Sequence, residues 1–315
     1  MLIKKMFPLF ILPFLLESYE LDIKKLQHSF YKKVLIQNVY HKRFLKHLSE
    51  VCPLSDGQCY EKEIIKLQKK YSILEDRGLQ KLYSAQIINT IPSDAYLKSV
   101  QSYLKSHLSY FTHSQFVTFI DLSKQLIFLF LFEKKKNLFY FIGKDLISAG
   151  DIAREKEVIL GEDHFLKTPT GIFEIKSGWR SVGEILSDGY TLPYGQKDRF
   201  VFYFGKQPSV RYNTFDRNGT KLTDEKQWTL IKDELSFALH AHQSSNSLGK
   251  PYSHGCVRVT NELNTFLDNH MALHKKVVKE DVWVSKYASA PKDPKYYDLA
   301  GSYLFIVDKL PLLIQ

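Results

Sequence analysis

From Gln115 onward the chain breaks into short runs of β-branched and aromatic residues separated by turn formers, and this texture constrains the fold most. The runs are Phe116 to Asp121, Leu126 to Phe132, Leu138 to Ile142, Gly171 to Ile175, Phe200 to Phe204, Val210 to Phe215 and Ser236 to His240. Each is strand-length and too short for an ordinary helix. Lys134 to Lys136 with Asn137 predicts one hairpin turn, and Asp216-Arg217-Asn218-Gly219 predicts another, because Asn-Gly readily takes positive φ angles. Short strands with few helices among them predict a mainly β domain over 115–286.

The preceding segment, Leu21 to Phe111, has helical spacing instead. Tyr96, Val100, Tyr103, Leu104 and Leu108 recur at three and four behind a Pro92-Ser93-Asp94 start that suits an N-cap. Three or four helices are expected over 19–112, with breaks at Cys52 to Cys59 and Thr90 to Asp94. The fold class is therefore α+β, a helical N-terminal domain of unassigned role followed by the β domain. A C-terminal extension, 287–315, holds the apolar run Tyr303 to Val307, read as an edge strand or as a segment packing on the body.

At 315 residues and 44% hydrophobic, the chain has ample material for two cores, which excludes a disordered protein. The net charge of +10 would suit a polyanion, but the lysines are scattered without a basic block, so no nucleic-acid partner is read from it. Lys4 and Lys5 precede an apolar run from Met6 to Leu16, closed by Glu17 and Ser18. Residues 1–18 thus read as an export signal, too short to span a bilayer and carrying the positive leader such signals use. No small-x-small triplet follows, so a retained membrane anchor stays open beside cleavage. Cys52 and Cys59 flank a turn-forming insert and are expected to pair as a disulfide in an oxidising compartment, which leaves Cys256 odd.

A reactive thiol needs a base and donors for developing negative charge. Gly255 allows an unusual backbone, so the amides of Gly255 and Cys256 are candidates for an oxyanion site. His254 is adjacent in sequence, and Arg258 lies on the same side if the backbone is extended, where it could bind a carboxylate. His240 and His242 are both candidate bases, and at i and i+2 their spacing does not choose between them. His240, His242, His254 and Cys256 are also zinc-ligand types, but their spacing matches no zinc motif, so neither metal nor another cofactor is expected.

Three blocks in order resemble the L,D-transpeptidase (YkuD-type) catalytic domain. They are Phe119-Ile120-Asp121-Leu122-Ser123-Lys124-Gln125, then Thr168-Pro169-Thr170-Gly171-Ile172-Phe173, then His240 with Ser253-His254-Gly255-Cys256-Val257-Arg258. The resemblance implies Cys256 as nucleophile and His240 as its base, oriented by the carbonyl of Ala241. It implies an oxyanion hole at Gly255 and Cys256, with His254 shaping the pocket. Arg258, Ser253 and His242 would serve substrate binding or loop geometry. The implied substrate is a peptidoglycan stem peptide, with an amine of a neighbouring stem, a lipoprotein or other wall protein, or water as acceptor. The implied home is a periplasm. The alternatives are L,D-carboxypeptidase trimming and a non-catalytic wall-binding scaffold. The stretch Ser177 to Tyr194 reads as a surface loop or as a lid that selects the acceptor.

Overall fold

The computed structural model describes residues 22–35, 94–151, 156–157, 160, 167–185, 187, 192, 194–242, 248–274 and 294–310. Cys52, Cys59, the export signal and most of the expected helical domain lie outside these residues. Among them, two sheets share one core. The first has the order β3-β2-β1-β9-β4, from Gln115–Asp121 (β1), Leu126–Glu133 (β2), Leu138–Leu146 (β3), Gly171–Glu174 (β4) and Tyr303–Val307 (β9). The second has the order β5-β6-β7-β8, from Ser177–Arg180, Phe200–Asn213, Thr229–Ala241 and Val257–Val259.

The sequence of β2, Leu-Ile-Phe-Leu-Phe-Leu-Phe, shows no polar alternation because both of its faces are covered. Ile127, Leu129 and Leu131 face the core shared with the second sheet, while Leu126, Phe128, Phe130 and Phe132 pack beneath helix α2, Asp94–Lys105. On that helix the predicted stripe of Tyr96, Val100 and Leu104 is buried. Helix α1, Ile23–Phe30, lies along β3, where Phe30 covers Gly143 so closely that a Cβ there would stand 2.3 Å from its ring. The described helices thus pack directly on the sheets. The turn between β2 and β3 falls where predicted, with Asn137 at φ 54°.

Two expectations are corrected. The run Phe200 to Phe204 and the part of the second run from Val210 to Asn213 belong to one long strand, β6, whose pairing with β7 shifts register between Tyr203 and Gly205. The Tyr303 to Val307 run is no edge strand: β9 lies between β1 and β4, parallel to the first and antiparallel to the second. Its all-apolar centre, Leu304 to Ile306, is buried, as an interior strand requires.

Candidate active site

Strands β7 and β8 run parallel with Leu239 opposite Val257 and His240 opposite Arg258. Side chains alternate across a strand, so this register sorts them into two sets. Leu239 and Val257 enter the core. Ala238, His240, Cys256 and Arg258 share the other face, with Tyr203 of β6 paired beside Ala238. His242 follows His240 on that face, so the site draws its candidate base and thiol from neighbouring strand ends.

His240 is buried and its Nδ1 lies 2.8 Å from the carbonyl oxygen of Ala241. A carbonyl only accepts, so Nδ1 carries the proton and the neutral ring keeps its lone pair on Nε2. Burial pushes the imidazole down from 6.5 to about 4; the bond to Ala241 opposes this, and the charges of Arg258 and His242 add to it. Cys256 is half-buried, and desolvation raises its thiol above the ordinary range, against a backbone hydrogen bond with Ala238 and the charge of Arg258. The two groups therefore rest neutral. Burial also lowers the Arg258 guanidinium somewhat, though never far enough to discharge it. Its Nη1 donates to the carbonyl of Tyr252 at 3.3 Å, while its buried Nε has no hydrogen-bond partner among the described residues.

The loop before Cys256 is held from several segments. Ser148 and Arg258 exchange backbone hydrogen bonds at 2.9 Å, and Ser253 N–H donates to Ala149 O at 3.1 Å. Ser253 is buried, and its Oγ accepts the Gly255 N–H at 3.0 Å. That amide, expected to be free for an oxyanion, is thus already engaged within the loop, which corrects its proposed role. His254 is exposed on the loop. His242 is partly buried and donates its backbone N–H to Val259 O at 3.0 Å. Among the described residues no three His, Cys, Asp or Glu side chains gather as a metal ion would need.

Residues outside the motif complete the site. Tyr194 sets its ring edge-on to His240 with centroids 5.3 Å apart, and its phenol is raised by burial and by the nearness of Cys256. Trp179 on β5 flanks Tyr194 at 5.7 Å and Tyr203 at 6.1 Å. The stretch expected as a loop, Ser177 to Tyr194, therefore begins as a strand and ends in an aromatic wall beside the imidazole.

The model of the L,D-transpeptidase catalytic domain family (YkuD) matches residues 115–278. The chain belongs to this family. Its members are cysteine-dependent L,D-transpeptidases. The match opens at β1 and closes just after His274, so β9 completes the first sheet from outside it. No curated protein matches the sequence significantly. Among solved structures, Bd1075 of Bdellovibrio bacteriovorus is similar at 18% identity and TM-score 0.30, covering 63% of this chain and 50% of its own. This chain thus spans half the length of that protein. The helical cell shape determining protein Pgp2 of Campylobacter jejuni is similar at 13% identity and TM-score 0.29, covering 71% of this chain and 59% of its own. A fused Zn-dependent amidase/peptidase/peptidoglycan-binding domain-containing protein of Clostridium acetobutylicum is similar at 13% identity and TM-score 0.27, covering 80% and 96%.

Proposed function

We propose that the chain is an L,D-transpeptidase that works through a Cys256 thioester, exported to a periplasm where stem peptides are its donors. The observation that carries this reading is the single tautomer of His240, fixed by Ala241 on the strand end beside Cys256. A neutral base with its Nε2 lone pair available suits a neutral thiol, since the proton can move as the sulfur attacks. The sulfur adds to the carbonyl between the L- and D-centres of a tetrapeptide stem. The C–N bond to the terminal D-alanine then breaks, His240 returns the proton to the departing amine, and a thioester remains. An acceptor amine attacks that thioester and gives its proton to His240, the C–S bond breaks, and the imidazolium returns that proton to the departing sulfur to restore the thiol.

The Cys256 N–H supplies an oxyanion donor, and the partly exposed guanidinium of Arg258 receives a carboxylate of the donor stem. Ser253 holds the loop, while exposed His254 and neighbouring His242 line the approach. The export reading rests on Lys4, Lys5 and the apolar run that follows.

Incubation of the mature protein with disaccharide tetrapeptides, beside the Cys256→Ser variant, tests the reaction by mass spectrometry. A cross-linked dimer made only with the thiol present is the expected product. Tripeptide without dimer would replace transpeptidation with carboxypeptidase trimming, the same thioester resolved by water. Absence of both products and of any adduct on Cys256 would leave the scaffold alternative standing.

A further inference from the structure

Thr168 opens the second sequence block, and the reaction just described gives it no task. Its side chain is fully buried. Its Oγ1 accepts the Gly150 N–H at 2.7 Å and donates to the Gly255 carbonyl at 2.7 Å. An amide N–H only donates and a carbonyl only accepts, so the direction of both bonds is fixed. The hydroxyl has little freedom to leave them. Pro169 restricts the backbone of Thr168 to the extended region, and the β-branched side chain is stiff at χ1.

The consequence falls on the next peptide. No peptide bond among the described residues is cis, and in a trans peptide the C=O and N–H point in opposite directions across one plane. Anchoring the Gly255 carbonyl on Thr168 therefore turns the Cys256 N–H away from Thr168. Gly255 itself sits at φ 116°, a conformation open to glycine and rarely to other residues, and its N–H is tied to Ser253 Oγ. Both ends of this glycine are thus held by hydroxyls, Ser253 before it and Thr168 after it.

We propose that Thr168 is a positioning residue that aims the Cys256 N–H at the oxyanion formed when the thiol attacks its substrate. The inference rests on the thioester mechanism above. It separates two reactions of the same sulfur: acylation builds an oxyanion, whereas alkylation by iodoacetamide is displacement at a saturated carbon and builds none. Thr168→Val removes the hydroxyl at nearly constant shape. Single-turnover acylation by a tetrapeptide donor, read by intact mass, is expected to slow by about 10- to 100-fold, mostly in kcat, because losing an oxyanion donor outright costs somewhat more. Alkylation of Cys256 at the same pH should stay within about twofold, and Thr168→Ser should restore acylation. If Thr168→Val does not fold, Thr168→Ala is expected to show the same selective loss. Unchanged acylation in a hydroxyl-free variant, or parallel loss of acylation and alkylation, would overturn the proposal. A wild-type protein that alkylates but never acylates would instead overturn the thioester mechanism on which it rests.

Discussion

Two buried histidines lie on opposite sides of the second sheet, and their partners explain what each does. His240, on the outer face, gives its Nδ1 proton to a neutral carbonyl and stands beside a thiol. His274, against Phe200 and Phe202 on the inner face, meets the Asp268 carboxylate at 2.9 Å. That carboxylate also receives both Nη atoms of Arg180. Burial alone would raise Asp268, but bonds from His274 and Arg180 outweigh it and hold the acid below its ordinary range. Burial likewise keeps His274 low despite its anionic partner. The inner group is a charge-balanced tie between β5, the turn around His274 and helix α3, Asn261–Asn269. The outer group is uncharged at rest and has room for one proton to move. Two imidazoles with similar burial thus differ in setting, one tied into an ion pair and the other to a dipole.

The sharpest way to break this contrast is a pair of substitutions. His240→Ala should cut the rate of thioester formation by about 10²- to 10⁴-fold with a near-native melting temperature, as expected for a lost base. Asp268→Ala should do the reverse, costing about 3–5 kcal/mol of stability by leaving Arg180 and His274 uncompensated, while folded protein keeps its acylation rate. Chemical unfolding and single-turnover rates on both variants check this. A stability loss at His240 equal to that at Asp268 would erase the distinction.

A second test uses pH. Unfolded imidazole binds its proton near 6.5, whereas His240 in the fold declines it until about 4. Between those values the unfolded chain holds more protons, so stability is whole above 6.5 and falls as the pH drops towards 4, by about 3 kcal/mol from this residue. Burial raises Asp145 to about 7 and makes it act in the opposite sense, so the difference between wild type and His240→Gln isolates the histidine. Urea unfolding at neutral and acidic pH should show a smaller acid loss in the variant. The smallest expected effect is on the thiol. Because Cys256 is raised, its alkylation should climb up to and past pH ~9, where an ordinary thiol would already be levelling. A plateau at neutral pH would mean a preformed thiolate and imidazolium pair.

The strands read directly from sequence are those with a core face. In β7 only Ser236 to His240 reads as a strand, because the half from Thr229 to Leu235 is largely solvent-exposed and its apolar residues, Leu230, Ile231 and Leu235, do not alternate with polar ones. The place of β9 was hidden for another reason: its pairing with β1 joins Thr118 to Leu304, and local spacing holds no record of so distant a partner. The site divides in the same way. Cys256, His240 and Arg258 stand out by residue type and motif, and strand register then puts them on one face. Thr168, Gly150 and Tyr194 come from separate segments and meet the loop only in the fold, so their contacts had no signature beyond the Thr-Pro motif itself. His274 and Asp268 showed no motif at all, since a buried ion pair is defined by what surrounds it.

The central claim is that the proton of Cys256 passes to His240 as a thioester forms. Intact-protein mass spectrometry after mixing with a tetrapeptide donor, followed by peptide mapping, measures this most directly. The account predicts an adduct of donor minus D-alanine on Cys256, abundant in wild type, slow to form in His240→Ala and restored to normal speed there by added imidazole. An adduct on another residue, or equal rates with and without His240, would contradict it.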